Sequence, residues 1–168
     1  DIMRTFDNDG RILCNLQAEI FMKSIEYPTS SPIFIRRYMN SEYCEQLDGR
    51  AFLNGSVNTD NVFSSLDEQY GQTKYGETKY SSSELNWIGY LYRYWAYVYG
   101  YSSKAVFRLA NGREMHKLYY AYHSLDPAAA IERIMESKNQ NVEKSPEDYM
   151  ERGVKFLRDM RKNPHKRK

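Results

Sequence analysis

Along most of this chain apolar residues recur at the spacing that gathers them on one face of a helix, and stretches of strict alternation are nearly absent. Leu13, Leu16 and Ile20 mark a first amphipathic segment that Pro28 must end. Ser31 and Pro32 read as an N-cap and first-turn pair for "IFIRRYMN", and a short helix is expected from Ser41 to Leu47. "LDGRAFLNGSVN" is turn-rich. Asp60 opens another short periodic piece through Val62, Phe63 and Leu66 that stops at Gly71. "TKYGETKYSSSE" follows no helical or strand period and reads as an exposed loop, after which Ser81 and Glu84 have the spacing of a capping box.

The helix that this box starts, "ELNWIGYLYRYWAYVYG", is crowded with tryptophan and tyrosine and carries one arginine. At 100° per residue, a broad face collects Leu85, Trp87, Ile88, Leu91, Tyr92, Trp95, Val98 and Tyr99, with Gly89 and Ala96 at its margin. That face is the expected core. A narrower strip holds Asn86, Tyr90, Arg93, Tyr94 and Tyr97. Two readings of the strip stand. Either the helix is covered on both sides, with Arg93 stacking on tyrosine rings or reaching a carboxylate from another helix, or the strip is a docking surface for a partner. Tyrosine and arginine are the residue types enriched at the energetic centres of interfaces.

Downstream, "SSKAVFRLA" reads as a short helix capped by Ser102 or Ser103, and Asn111-Gly112 as a helix-ending turn. "REMHKLYYAYHS" then repeats apolar residues at Met115, Leu118, Tyr119 and Tyr122. Asp126-Pro127 starts "AAAIERIMES" with Ile131, Ile134 and Met135 inward. Residues 137–144 are polar and read as a linker. Ser145-Pro146-Glu147-Asp148 opens a last helix, with Met150, Val154 and Leu157 on one side. The expectation is an all-α protein: a single compact multi-helix domain over 1–136 around the aromatic helix, then the linker, then an amphipathic helix and basic tail over 145–168.

Length and composition agree, since 168 residues suit one domain and 41% hydrophobic with 27% charged residues suits a globular chain. The main departure from average is tyrosine, 16 of the 25 aromatic residues. Tyrosine covers apolar surface while keeping a polar tip. No apolar run is long enough to span a membrane, and "DIMRTFDNDG" lacks the basic start and apolar run of a signal peptide, so a cytoplasmic protein without membrane contact is expected. Charge is uneven. Residues 151–168 hold eight Lys/Arg against two Asp/Glu, a net of +6, which leaves −4 for residues 1–150 out of a total of +2.

Catalytic and metal-binding patterns are missing. Cys14 and Cys44 stand apart, with neither CxxC spacing nor histidine partners, and read as ordinary reduced thiols. His116 and His123 fall two turns apart on one helix, about 10 Å along its axis, too far to share a metal without other ligands. His123, Ser124 and Asp126 contain the letters of a triad, but adjacency in sequence does not give its geometry. No GxSxG, phosphate-binding glycine loop or HExxH occurs, so neither catalysis nor a cofactor is expected. The helix, turn, helix segment over 103–124 allows DNA binding, with Arg113, Lys117 and Tyr120 facing outward and Arg158, Arg161 and Lys162 in the tail reaching phosphates. The acidic balance of residues 1–150 and Glu114 at the start of the second helix weigh against it.

From about Tyr90 to Met135, "YLYRYWAYVYG", "YSSKAVFRLANG" and "YYAYHSLDPAAAIERIM" resemble, in pattern and order, small helical bacterial proteins encoded beside toxins with an ADP-ribosyltransferase-like fold. The resemblance covers about a quarter of the chain. It implies an antitoxin or immunity-like module that binds and neutralises a cognate toxin; the alternative, a DNA-binding regulator, rests on the segment 103–124 and the basic tail instead. It does not say which residues touch the partner. The candidate contacts come from the residues themselves: Asn86, Tyr90, Arg93, Tyr94 and Tyr97 from the wheel, and, as a second candidate, the last helix with its basic tail, suited to clasp an acidic surface of a partner.

Overall fold

The computed structural model describes residues 3–49 and 59–143, with side chains described as far as Asn139. Eight α-helices and no strand occur among the described residues, as the all-α reading expects. They are α1 (Asn8–Lys23), α2 (Ser31–Met39), α3 (Glu42–Asp48), α4 (Val62–Tyr70), α5 (Ser82–Tyr99), α6 (Ser103–Leu109), α7 (Gly112–Tyr122) and α8 (Pro127–Glu143). None of the described helices is long and apolar enough to cross a membrane. The described residues fall into two compact units, divided after Pro127.

Local chemistry accounts for most boundaries. Asp7, Ser41, Ser81 and Ser102 each offer a side-chain oxygen to an otherwise unpaired backbone N–H in the first turn of α1, α3, α5 and α6. The Ser81–Glu84 capping box is present as anticipated. Two caps differ from expectation by their register or role. Ser30, not Ser31, caps α2, and Ser31 and Pro32 fill its first turn. Asn111 does not end a helix but starts α7, closing a second capping box with Glu114. Asparagine serves at either end of a helix, so its identity alone does not say which.

Within residues 1–127 the organising contact is the long packing of α1 along α5. Gly89 allows it. A β-carbon there would lie 2.8 Å from Phe21 Cγ and 2.9 Å from the Gln17 carbonyl, closer than packed atoms can come. Phe21 thereby reaches the centre of an aromatic cluster, edge-on to Phe34 at 5.3 Å and to Tyr38 at 5.2 Å between ring centroids. Tyr92, from the same face of α5, donates its hydroxyl to the Ala110 carbonyl at 2.6 Å and ties the α6–α7 connection to the core.

The stretch "TKYGETKYSSSE", expected to be an exposed loop, is exposed but pinned as far as Ser81, after which α5 begins. Ser30 and Ser31 donate their N–H groups to the carbonyls of Tyr75 and Thr78, and Tyr80 donates its own N–H to the Ser31 hydroxyl. Tyr80 itself is buried. Lys79 Nζ donates to three carbonyls, Ser24 at 3.1 Å, Tyr27 at 2.5 Å and Thr29 at 2.7 Å, using all three protons of the ammonium. Burial pulls the ammonium below its ordinary pKa, and these oxygens offset that cost.

From Pro127, the last residue of the first unit, α8 runs through the second unit to Glu143, across much of the stretch that polarity marked as a linker. Residues 137–143 contain no glycine or proline, and nothing in their backbone preference stops a helix already under way. Ile131 and Ile134 are buried, as their spacing anticipates, together with Ala130, whereas Met135 is half-buried. The expected last helix and its Met150, Val154 and Leu157 lie outside the described residues, as does the turn-rich stretch 50–58.

Lys79→Met removes three charge-assisted hydrogen bonds and leaves three carbonyls to water. It is expected to cost about 1–2 kcal/mol and to speed amide hydrogen exchange in 71–81 more than in α5. Unchanged exchange in that segment contradicts the pinning role.

Candidate functional site

Arg93 does not lie on the surface. It is 1% exposed, among the largest fully buried side chains, and its partners come from three other helices. Nη1 donates to Asp48 Oδ1 at 2.7 Å, and Nη2 donates to the Ser103 hydroxyl at 2.9 Å and to Gln17 Oε1 at 2.9 Å. Nε also reaches Gln17 Oε1, at 3.2 Å, and the Cys44 sulfur lies 3.1 Å from Nη2. Each partner is itself held. Asp48 accepts from Ser103 N at 2.9 Å and from its hydroxyl at 2.7 Å, while Gln17 donates to the Gly89 carbonyl and accepts from Tyr38. Burial works against the guanidinium's charge, but the Asp48 carboxylate paired with it, with the hydrogen bonds around it, outweighs burial and keeps it protonated. Of the two readings of Arg93, the one reaching a carboxylate from another helix is the geometry observed.

The rest of the predicted strip divides. Tyr97 is buried, donates to Asp7 Oδ1 at 2.7 Å and lies beneath the Arg4 guanidinium at 4.5 Å. Tyr94 is half-buried and packs on Phe6, ring centroids 4.7 Å apart. Asn86 and Tyr90 alone open onto a groove, which Met22 of α1 and Trp87, Tyr119 and His123 also line. Its volume is about 390 Å³. Trp87 meets Tyr119 edge-on at 5.7 Å, and Tyr119 stacks on His123 at 4.4 Å, so three rings make one continuous wall. Sequence reasoning missed this wall because Trp87 was assigned to the core face of α5 and Tyr119 to the apolar face of α7. Both are half-buried, and they meet where the two faces part.

The remaining titratable groups offer little chemistry. Burial pushes the Cys14 thiol up to about 12 and raises Cys44 as well, so neither free cysteine is a thiolate near neutral pH. His116 stacks on Tyr80 at 3.8 Å with its Nε2 3.1 Å from Glu84 Oε1. His123 holds the Tyr119 carbonyl through Nδ1. No group of three or more His, Cys, Asp or Glu among the described residues could hold a metal ion. Arg113, Lys117 and Tyr120 are exposed on α7, Tyr120 at 89%, and the Glu114 carboxylate turns back onto the Asn111 N–H. Arg158, Arg161 and Lys162 lie outside the described residues.

The groove and the buried arginine thus belong to an all-α protein with an aromatic core. No protein-family model matches the chain, and neither a curated protein nor a solved structure matches it.

Arg93→Met leaves Asp48 without its counter-charge. The substitution is expected to lower unfolding free energy by about 3–5 kcal/mol, in the range for breaking a buried pair. Combined with Asp48→Asn, the loss should fall short of the sum of the two single losses by at least about 1 kcal/mol. Urea denaturation of the four proteins measures this, and additive losses contradict a direct pair.

Proposed function

We propose that the chain is a protein-binding module of the antitoxin or immunity type, which binds a cognate bacterial toxin in the cytoplasm and neutralises it without catalysis of its own. The observation that carries this reading is the aromatic groove at Asn86, Trp87, Tyr90, Tyr119 and His123. Half-exposed aromatic rings in a concave site give large contact area at low entropic cost, the composition found at interface centres. The resemblance of residues 90–135 to proteins encoded beside ADP-ribosyltransferase-like toxins supplies the class of partner. Arg93 takes no part in contact on this reading, because its hydrogen bonds are made inside the chain.

A second reading, DNA binding through residues 103–124 with the basic tail, is favoured by the joint exposure of Arg113, Lys117 and Tyr120 along α7. Because Glu114 is engaged in the capping box, its carboxylate is drawn toward the backbone rather than toward a phosphate.

Co-expression with the toxin encoded beside it tests the first reading. The wild-type chain is expected to restore growth and to co-purify with the toxin in stoichiometric amount, and Trp87→Ala to weaken both at least tenfold. Growth arrest that the wild-type chain does not relieve overturns the reading. Affinity for DNA that falls steeply with added salt, without a protein partner, supports the second instead.

A further inference from the structure

We infer that the aromatic groove is the seat of an arginine side chain presented by the protein partner; this rests on the protein-binding reading above and names the group that the site recognises. Three features of the groove converge on a planar cation that donates hydrogen bonds.

The first is the wall. Trp87, Tyr119 and His123 are in mutual ring contact, and Tyr90 lines the same groove. Ring faces carry negative potential, and a guanidinium stacks on them as a flat ion, whereas an ammonium meets them as a point charge.

The second feature is which polar atoms are left unused. His123 Nδ1 lies 2.8 Å from the Tyr119 carbonyl oxygen. A carbonyl only accepts, so the neutral ring carries its proton on Nδ1 and keeps Nε2 as an acceptor. Asn86 Nδ2 is donated to the Met22 sulfur at 3.0 Å, leaving the amide oxygen as the atom that can receive a bond. Both atoms therefore accept. A guanidinium offers five N–H donors and no acceptor, so it matches both where a carboxylate or phosphate would meet two lone pairs.

Charge is the third. Among the described residues no Lys or Arg lines the groove. Behind burial, the Asp126 carboxylate raises the phenols of both Tyr90 and Tyr94, while Arg11 lowers that of Tyr90. Ser82 and Ser83, at the groove's edge, begin α5 and bring the positive end of its dipole. Glu84 in that same turn offsets it.

The tryptophans make the test direct. Trp95 is fully buried and Trp87 half-exposed, so a ligand in the groove changes the emission of Trp87. The full chain is titrated with acetyl-Gly-Arg-Gly-amide, and with the same peptide carrying citrulline, which keeps the shape and loses the charge. The arginine peptide is expected to give a saturable change, with the citrulline peptide at least tenfold weaker. Asn86→Leu, which keeps the rings, should weaken the arginine peptide severalfold, and Tyr120→Ala, outside the groove, should leave it unchanged. No saturable response to arginine, or an equal response to citrulline, overturns the arginine seat. If that happens while Trp87→Ala still abolishes growth rescue, the protein-binding reading stands and only its ligand is wrong. If arginine binds while the wild-type chain gives no rescue, the seat stands and the toxin-binding reading falls.

Discussion

A guanidinium that cannot lose its proton has been placed where water does not reach it, and the helices around Arg93 are arranged to meet that demand. Its donors are answered by Gln17 of α1, Asp48 at the end of α3 and Ser103 at the start of α6, with Cys44 alongside. The requirement runs outward. Gln17 can accept from Arg93 only while its amide nitrogen is satisfied by the Gly89 carbonyl, which in turn needs α1 and α5 as close as Gly89 permits. Asp48 is fixed by the first residue of α6, and the position of α6 governs where α7 begins. Buried ion pairs seldom add much net stability over a well-packed apolar core, but leaving one partner alone is costly. The pair therefore acts as a specification: packings of these helices that separate Arg93 from Asp48 are penalised.

This also explains how much the sequence discloses. Helix starts are local, and Ser41, Ser81 and Ser102 are legible because a hydroxyl and the N–H it caps lie three residues apart. Asn111 is ambiguous for the same local reason, since its side chain suits the end of one helix as well as the start of the next. The fate of Arg93 is not local at all. A helical wheel ranks it as the polar centre of a strip, but α5 is covered on that side too, and its acid stands 45 residues earlier in the chain. The wheel can say that a buried arginine requires a carboxylate. It cannot choose Asp48 among the others.

The groove was hidden for a different reason. Trp87 and Tyr119 were each assigned inward by the periodicity of their own helix, and that is correct for half of each ring. Amphipathic rings at the border of a core remain half-exposed, and only the crossing of α5 over α7 brings two such borders together. Lys79 shows a similar limit. Nothing in "TKYGETKY" signals that one lysine will close on three carbonyls more than 45 residues away, because backbone acceptors leave no mark in a sequence. Division of labour follows from these placements. The arginine of the aromatic helix organises the interior, and the neutral aromatic and amide groups near its N-terminal end are what a partner can touch.

The account stands or falls on Arg93 being internal and paired, which nitrogen-15 NMR of the arginine side chains measures directly. The Nε–H of Arg93 is expected to give a resolved resonance that exchanges with solvent no faster than the chain unfolds globally. Exchange at the rate of a free arginine would place the guanidinium in water, and the interior network described above would be contradicted.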